Sequence, residues 1–237
     1  MKPIYIPKGR ALEYGDYALN IFDTCNHGCN YPCYARLMYE RWHGKGSFDK
    51  EPEGRPGLIP ALERQLATGA YAGKLIHLCF SCDPYPAPPV DTSITREVIL
   101  RLKDAGCRVQ ILTKGGYRAQ RDLDLLGVGD WFGITVTGGD EIELNVAPSY
   151  QRMKTLFDAA QRGISTWVSC EPVIDELAVY SLLAHCDYID LFRIGKLNYA
   201  PSAIDWPAFG RECERLAKKY DRNIYLKNEL RIAMGEA

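Results

Sequence analysis

The chain has 237 residues and almost no charge excess of either sign, its formal net charge being −1. That removes the usual signature of a nucleic-acid binder, a strong overall basic field, although a local basic groove stays open. No apolar run is long enough to span a bilayer, and the opening MKPIYIPKGR lacks the apolar core of a signal peptide. These absences point to a cytoplasmic protein with no membrane partner. Repeats, low-complexity tracts and linker-like segments are also missing, so one domain over residues 1–237 is expected. A composition of 46% apolar and 25% charged residues suits a soluble globular protein long enough to bury a substantial core.

Against these absences stand nine cysteines. A cytosolic chain of this size needs no disulfides, and an odd count argues against a fully paired framework. Cys107, Cys186 and Cys213 read as small core residues. Cys25, Cys29 and Cys33 do not, because they crowd into DTCNHGCNYPCYAR, residues 23–36. A four-residue step would stack thiols on one helix face, but Gly28 and Pro32 argue for a loop. Two metals suit such thiols. Structural zinc usually takes four ligands in two pairs, and Cys79 with Cys82, or His27 and His43, would have to complete the set. A cubane iron–sulfur cluster is held by thiolates on a tight loop, and three protein ligands leave one iron open.

Between these points the chain alternates strands and helices. Strand patterns lie at YALNIF, KLIHLCFS, CRVQILT, DWFGITVT, ISTWVSC, YIDLFRIG and NIYLK. Helical periodicity marks GLIPALERQLATGAY, TSITREVILRLKDAG, RAQRDLDLL, PSYQRMKTLFDAAQRG, DELAVYSLLAHC and WPAFGRECERLAKKY. The stretch YERWHGKGSFDK reads as a solvated loop after the first helix, although its cations around Trp42 and Phe48 would also suit stacked bases. Alternation of this kind implies a mainly parallel sheet with right-handed crossovers, and six or seven units suit a partial or complete (β/α) barrel. An open doubly wound sheet is the alternative, but the first strand runs into no Gly-x-Gly-x-x-Gly phosphate loop.

Ligands bind outside the carboxyl ends of parallel strands. Just past each predicted strand stand Cys25 to Cys33, then Ser81, Cys82 and Asp83, then Thr113 and Lys114. Thr135, Thr137 and Asp140 follow, then Cys170 and Glu171, then Lys196, Asn198 and Tyr199. Helix capping accounts for Asp91, Ser149 and Asp175. It does not account for Lys114 and Lys196, since cations oppose a helix N-terminus, and with Glu171 beside them a functional rim is expected.

In this order the segments resemble the radical S-adenosylmethionine enzymes, in the branch related to spore photoproduct lyase. RALEYGDYALNIFDTCNHGCNYPCYAR is similar to the strand and cysteine loop of that branch, CDPYPAP to its Asp-Pro-Tyr segment, and ILTKGGYRAQRDLDLL to its Thr-Lys segment. GITVTGGDEIELNVAPSYQRMKTLFDAAQRGI resembles its next strand and the Ala-Pro-Ser loop. The likeness covers most of residues 10–175. It implies a radical barrel enzyme with a [4Fe–4S] cluster on Cys25, Cys29 and Cys33, and S-adenosylmethionine at the open iron. Tyr34 would sit beside the cluster, Ser81 and Asp83 would meet the methionyl amino end, and Lys114 would meet the carboxylate. Thr135 or Thr137 would bind the carboxylate or ribose, and Glu171 is grouped with these cofactor contacts. Cys82 is the candidate hydrogen donor, with Cys79 as a core residue, and residues 196–237 are expected to close the substrate side. The resemblance further implies an electron donor such as flavodoxin or ferredoxin. Its substrate is open, with nucleic acid one candidate. One departure is plain. The branch spaces its cysteines Cys-x-x-x-Cys-x-x-Cys, whereas here the second step also holds three residues, most simply through an added Pro32. A cluster-bearing or zinc-binding barrel without cofactor cleavage is the alternative reading.

Overall fold

Seven short strands pair strictly in parallel and in chain order, in a computed structural model that describes residues 2–236. They are β1 Tyr17–Leu19, β2 Leu75–Leu78, β3 Arg108–Thr113, β4 Trp131–Thr135, β5 Ser165–Cys170, β6 Leu191–Ile194 and β7 Ile224–Leu226. The eight α-helices are α1 Tyr34–His43, α2 Leu58–Leu66, α3 Ser93–Asp104, α4 Tyr117–Gln120, α5 Ser149–Gln161, α6 Glu176–His185, α7 Trp206–Tyr220 and α8 Asn228–Ala233. The sheet runs β1 to β7 without β7 returning to β1, so the barrel is partial and open. A (β/α) architecture was the reading of the sequence, and the open, partial form is the one observed.

Sequence periodicity explains the packing. In α2 the residues Leu58, Ala61, Leu62, Gln65 and Leu66 are buried, the i, i+3, i+4 spacing of one helix face. Gln65 is the polar member of that stripe, and it accepts from Ile4 N at 2.8 Å and donates to Ile4 O at 2.7 Å. Val98, Ile99 and Leu102 of α3, Leu156 and Ala159 of α5, Val179 and Leu183 of α6, and Phe209 and Cys213 of α7 complete the same core. Each large apolar side chain so buried stabilises by roughly 1.5–3 kcal/mol. Of the three core cysteines, Cys107 and Cys213 are buried and Cys186 is half-buried against the core.

The inner face of the sheet is polar and aromatic. His77 and Gln110 are register partners and bond at 3.0 Å. Trp167 donates to Ile111 O at 3.0 Å, and the Arg193 guanidinium lies over the rings of Tyr14, Trp167 and Tyr225. Tyr14, just past the 3₁₀ turn Gly9–Glu13, enters this interior against His77, Phe80 and Trp167.

Four local readings change. RAQRDLDLL is one short helix, α4, followed by a separate 3₁₀ turn at Leu123–Leu125. Tyr39 to His43 belong to α1 rather than to a loop, and none of the ten α1 residues is buried. Ser149 is not a cap. Pro148 holds that position, and the Ser149 hydroxyl is turned to Asp140 at 2.5 Å. Asp175 caps α6 as expected, through Leu177 N at 2.9 Å, whereas the cap position of α3 is held by Thr92 and Asp91, one residue earlier, accepts from Ser93 N at 2.8 Å.

Candidate active site

The loop from Asp23 to Cys33 leaves β1 at the carboxyl end of the sheet and is held by side chains on both flanks. Asn26 accepts from Ala87 N at 2.9 Å and donates to Ala87 O at 3.0 Å, a two-point tie to the loop after β2. On the other flank, residues 27–30 run beside 142–145. Asn30 N donates to Ile142 O at 2.8 Å, Asn145 N donates to His27 O at 3.0 Å, and Cys29 and Glu143 form an antiparallel bridge. Gly28 sits at φ +62° inside this paired stretch, a left-handed conformation that glycine takes without strain and other residues do not.

The loop forms one wall of a cavity of about 260 Å³ at the carboxyl rim. Cys25, Cys29 and Cys33 all line it, as do Tyr34, Cys82, Asp83, Lys114, Thr135 and Glu171. Every one of these was singled out from the sequence. Ser81 and Thr137 were too, and they are not brought into the wall. Ser81 is held by its backbone N–H on Asn20 Oδ1 at 3.0 Å, and Thr137 is buried with its carbonyl accepting from Ile174 N at 2.9 Å. The chain turns under the start of α6 there, and the Thr137 hydroxyl has no partner among the described residues. Cys79, read as core, is buried yet lines the cavity beside Cys82. Lys196, Asn198, Tyr199 and Lys227 bring the C-terminal part of the chain to the opposite wall.

Two of the expected cofactor contacts are already engaged by the protein. Asp83 Oδ1 accepts from Tyr85 N at 2.7 Å and Thr113 Oγ1 at 2.6 Å, and its Oδ2 accepts from Lys114 N at 2.8 Å. Asp83 therefore ties the β2 rim to the β3 rim. His27 lies 3.6 Å from the same carboxylate, but burial, helped by Arg118 and Lys114, holds its imidazole below the ordinary histidine range, so the contact is not an ion pair at neutral pH. Lys114 Nζ pairs with Glu143 and Tyr31 and stands 3.7 Å from Cys29 Sγ.

A second polar group lies across the cavity. Lys227 Nζ reaches Glu171 Oε2 at 2.6 Å, and Tyr14 donates to the same oxygen at 2.5 Å. Glu171 fits because the neighbouring backbone is Gly195, where a Cβ would stand 2.9 Å from its carboxyl carbon. Sequence reasoning missed Tyr14, Lys227, Glu143 and Arg152. Only Arg152 left a signal, a cation on the buried stripe of α5 that also holds Thr155, Leu156 and Ala159.

Three thiols on one loop are a donor set that suits an iron–sulfur cluster. All three are free and half-buried on one wall. Among the described residues, no three His, Cys, Asp or Glu side chains converge closely enough to hold one metal ion.

No family model matches the chain, and no curated protein does. Among solved structures it is similar to a spore photoproduct lyase complexed with dinucleoside spore photoproduct, with a TM-score of 0.67 and 12% identity over 94% of this chain and 79% of that one. A variant of the same lyase with bound AdoMet and the dinucleoside gives a TM-score of 0.68, also at 12% identity, with 94% and 79% covered. Streptococcus suis SuiB bound to S-adenosylmethionine gives 0.64 at 12% identity, over 92% of this chain and 52% of SuiB, so the chain spans about half the length of that protein. Both neighbours are radical S-adenosylmethionine enzymes. The chain thus has the fold of the radical S-adenosylmethionine enzymes, in the form taken by spore photoproduct lyase.

Proposed function

We propose that this protein is a radical S-adenosylmethionine enzyme. The observation that carries the reading is the placement of Cys25, Cys29 and Cys33 on one wall of a cavity at the carboxyl rim of a partial barrel. In the reading, the three thiols hold a [4Fe–4S] cluster and leave one iron for the cofactor. Such a cluster with S-adenosylmethionine supplies, on one-electron reduction, a 5′-deoxyadenosyl radical that abstracts hydrogen from a substrate. An external reductant of the flavodoxin or ferredoxin kind provides the electron.

The chain's own residues position and enclose. Asp83, through Thr113 and Lys114, fixes the rims of β2 and β3 around the cavity. Thr135 lines the cavity at the end of β4, its carbonyl accepts from Arg152 at 2.7 Å, and its hydroxyl, which has no hydrogen-bond partner among the described residues, would be available to the cofactor. Tyr34, beside Cys33, and Tyr199, whose hydroxyl accepts from Arg10 at 3.0 Å, flank the opening. With Lys196, Asn198 and Lys227 they make the C-terminal part the substrate side. The substrate needs a reactive C–H bond and a polar group for the Lys227–Glu171 wall. A nucleic-acid component is one candidate class, since the lyase of similar fold is complexed with a dinucleoside.

A second reading, a cluster protein that does not cleave the cofactor, has one observation in its favour: the polar atoms of Asp83 and Lys114 are taken up inside the chain. Anaerobic reconstitution with iron and sulfide, followed by dithionite and S-adenosylmethionine, separates the two. Release of 5′-deoxyadenosine that disappears in Cys25→Ala, Cys29→Ala and Cys33→Ala supports the enzyme. A loaded cluster with no 5′-deoxyadenosine supports the second reading, and iron retained in full by any of the three variants would remove both.

A further inference from the structure

The unusual step from Cys29 to Cys33 has a built support beside it. Glu143 is a carboxylate with no solvent exposure, which is costly unless every oxygen is paired. Its Oε1 accepts from Tyr31 OH at 3.1 Å and from Lys114 Nζ, and its Oε2 accepts from Arg152 at 3.0 Å. Arg152, itself buried, reaches on to Thr135 O at 2.7 Å and Asp140 at 2.7 Å. The carboxylate is therefore anchored to the β4 rim and to α5 rather than to the loop alone.

Tyr31 lies inside the lengthened step. The step starts at Cys29, whose backbone is bridged to Glu143 itself. It ends at Cys33, which precedes the first turn of α1 and accepts Leu37 N at 3.0 Å. Both ends are fixed by backbone hydrogen bonds, Asn30 N is held on Ile142 O at 2.8 Å, and beyond Asn30 the Tyr31 hydroxyl is, among the described residues, the hydrogen-bonded tie from the step to the barrel. Without that tie, residues 31–32 would be a free arch, and the separation of two ligand thiols would vary with it.

We propose that Glu143 is a positioning residue for the cysteine loop: through Tyr31 and Lys114 it fixes the four-residue step so that Cys29 and Cys33 face the cavity together. The inference rests on reading those cysteines as cluster ligands. It gives Glu143 a second, electrostatic consequence. Lys114 Nζ is 3.7 Å from Cys29 Sγ, so its charge acts on any group that Cys29 holds, and Glu143 opposes it.

The test uses the full chain reconstituted anaerobically, as wild type, Tyr31→Phe, Glu143→Gln, the double variant and Lys114→Met. The readouts are iron and sulfide per chain, thermal melting, and the cluster midpoint potential. Wild type should bind about four irons. Tyr31→Phe, in which a half-buried residue loses one hydroxyl, should melt like wild type yet lose at least half of its iron. Glu143→Gln should lose as much or more, and the double variant no more than Glu143→Gln, because both changes cut one connection. In the fraction that loads, the midpoint should rise in Glu143→Gln and fall in Lys114→Met, opposite shifts that a packing role alone would not give. Wild-type loading in both Tyr31→Phe and Glu143→Gln overturns the proposal. If Glu143→Gln does not fold, Tyr31→Phe decides alone. A wild-type chain that binds no iron instead removes the reading of the cysteines, a result distinct from either.

Discussion

Tyr14 and Glu171, 157 residues apart, share a 2.5 Å hydrogen bond, and Lys227 Nζ reaches the same carboxylate oxygen at 2.6 Å. The three residues come from the segment before β1, the end of β5 and the end of β7, so the contact spans the open side of the barrel. Burial, reinforced by the Glu171 charge, pushes the Tyr14 phenol well above the ordinary tyrosine range, which keeps it a donor at any working pH.

Removing the cation from this group should be expensive. In Lys227→Met a largely buried carboxylate keeps only hydrogen-bond partners, and breaking a buried pair this way costs about 3–5 kcal/mol. Glu171→Gln in the same background should recover at least half of that loss, because no charge is then stranded. Urea unfolding of the two single variants and the double variant gives the coupling directly, and additive losses would show the pair to be unimportant.

Asn26→Ala should cost about 2 kcal/mol, from two lost hydrogen bonds to the Ala87 backbone at roughly 1 kcal/mol each. Because Asn26 follows Cys25 directly, faster hydrogen exchange should appear in both residues 23–33 and residues 84–90. An effect confined to one of the two segments would mean that the asparagine does not join them.

Much of this was legible in the chain, for particular physical reasons. The strands β3, β4 and β5 are buried runs bounded by turn residues, and helices such as α3 and α7 carry a clear 3.6-residue stripe, so their places were read to within a residue or two. The rim followed from the rule that ligands lie past parallel strand ends, which placed Cys25, Cys82, Asp83, Lys114, Thr135 and Glu171 on one cavity. What was not legible depends on pairing at a distance. Glu143 sits in the loop after β4, where no sequence pattern marked it, and it is buried by the bridge to Cys29 together with its pairing to Arg152 and Lys114. Tyr14, before β1, and Lys227, after β7, meet between the two ends of the sheet, which no local pattern encodes. Thr135 and Thr137 are two apart in a strand pattern and so seemed equivalent, but β4 ends at Thr135 and the chain then turns away.

His77 should make stability depend on pH. Burial, followed by the nearby Arg193 charge, lowers its imidazole to about 3, while Gln110, Tyr14, Phe80 and Trp167 surround it without offering a carboxylate. Between that value and the unfolded value of about 6.5, the unfolded chain holds the extra proton, so stability falls as the pH drops through that window. The slope from one such group approaches ~1.4 kcal/mol per pH unit. Melting between pH 6.5 and 5 should therefore be flatter in His77→Gln than in wild type, and equal slopes would refute the assignment.

The last expectation concerns the thiols beside the cavity. Cys79 and Cys82 are 6% and 9% exposed, so Cys79 is the core residue that the sequence argument made it, but it lines the cavity together with Cys82 and the two are less distinct than that argument held. Burial, and then contact with Cys82, pushes the Cys79 thiol well above its ordinary range, so it stays protonated as S–H. A hydrogen-donor role for Cys82, carried by the resemblance to spore photoproduct lyase, can be read without knowing the substrate. Cofactor cleavage run in D₂O without substrate and with excess dithionite places the thiols as S–D; with no product radical to quench, a cavity thiol that gives its deuterium atom to the 5′-deoxyadenosyl radical breaks its S–D bond, forms the C–D bond of labelled 5′-deoxyadenosine and leaves a thiyl radical that dithionite reduces to the thiolate. Wild type should show that label by mass spectrometry. Cys82→Ala should load iron normally, cleave the cofactor within about twofold of wild type and lose most of the label, with Cys79→Ala losing less. Full labelling in Cys82→Ala, or its transfer to dependence on Cys79, would assign the hydrogen to a different group on the wall.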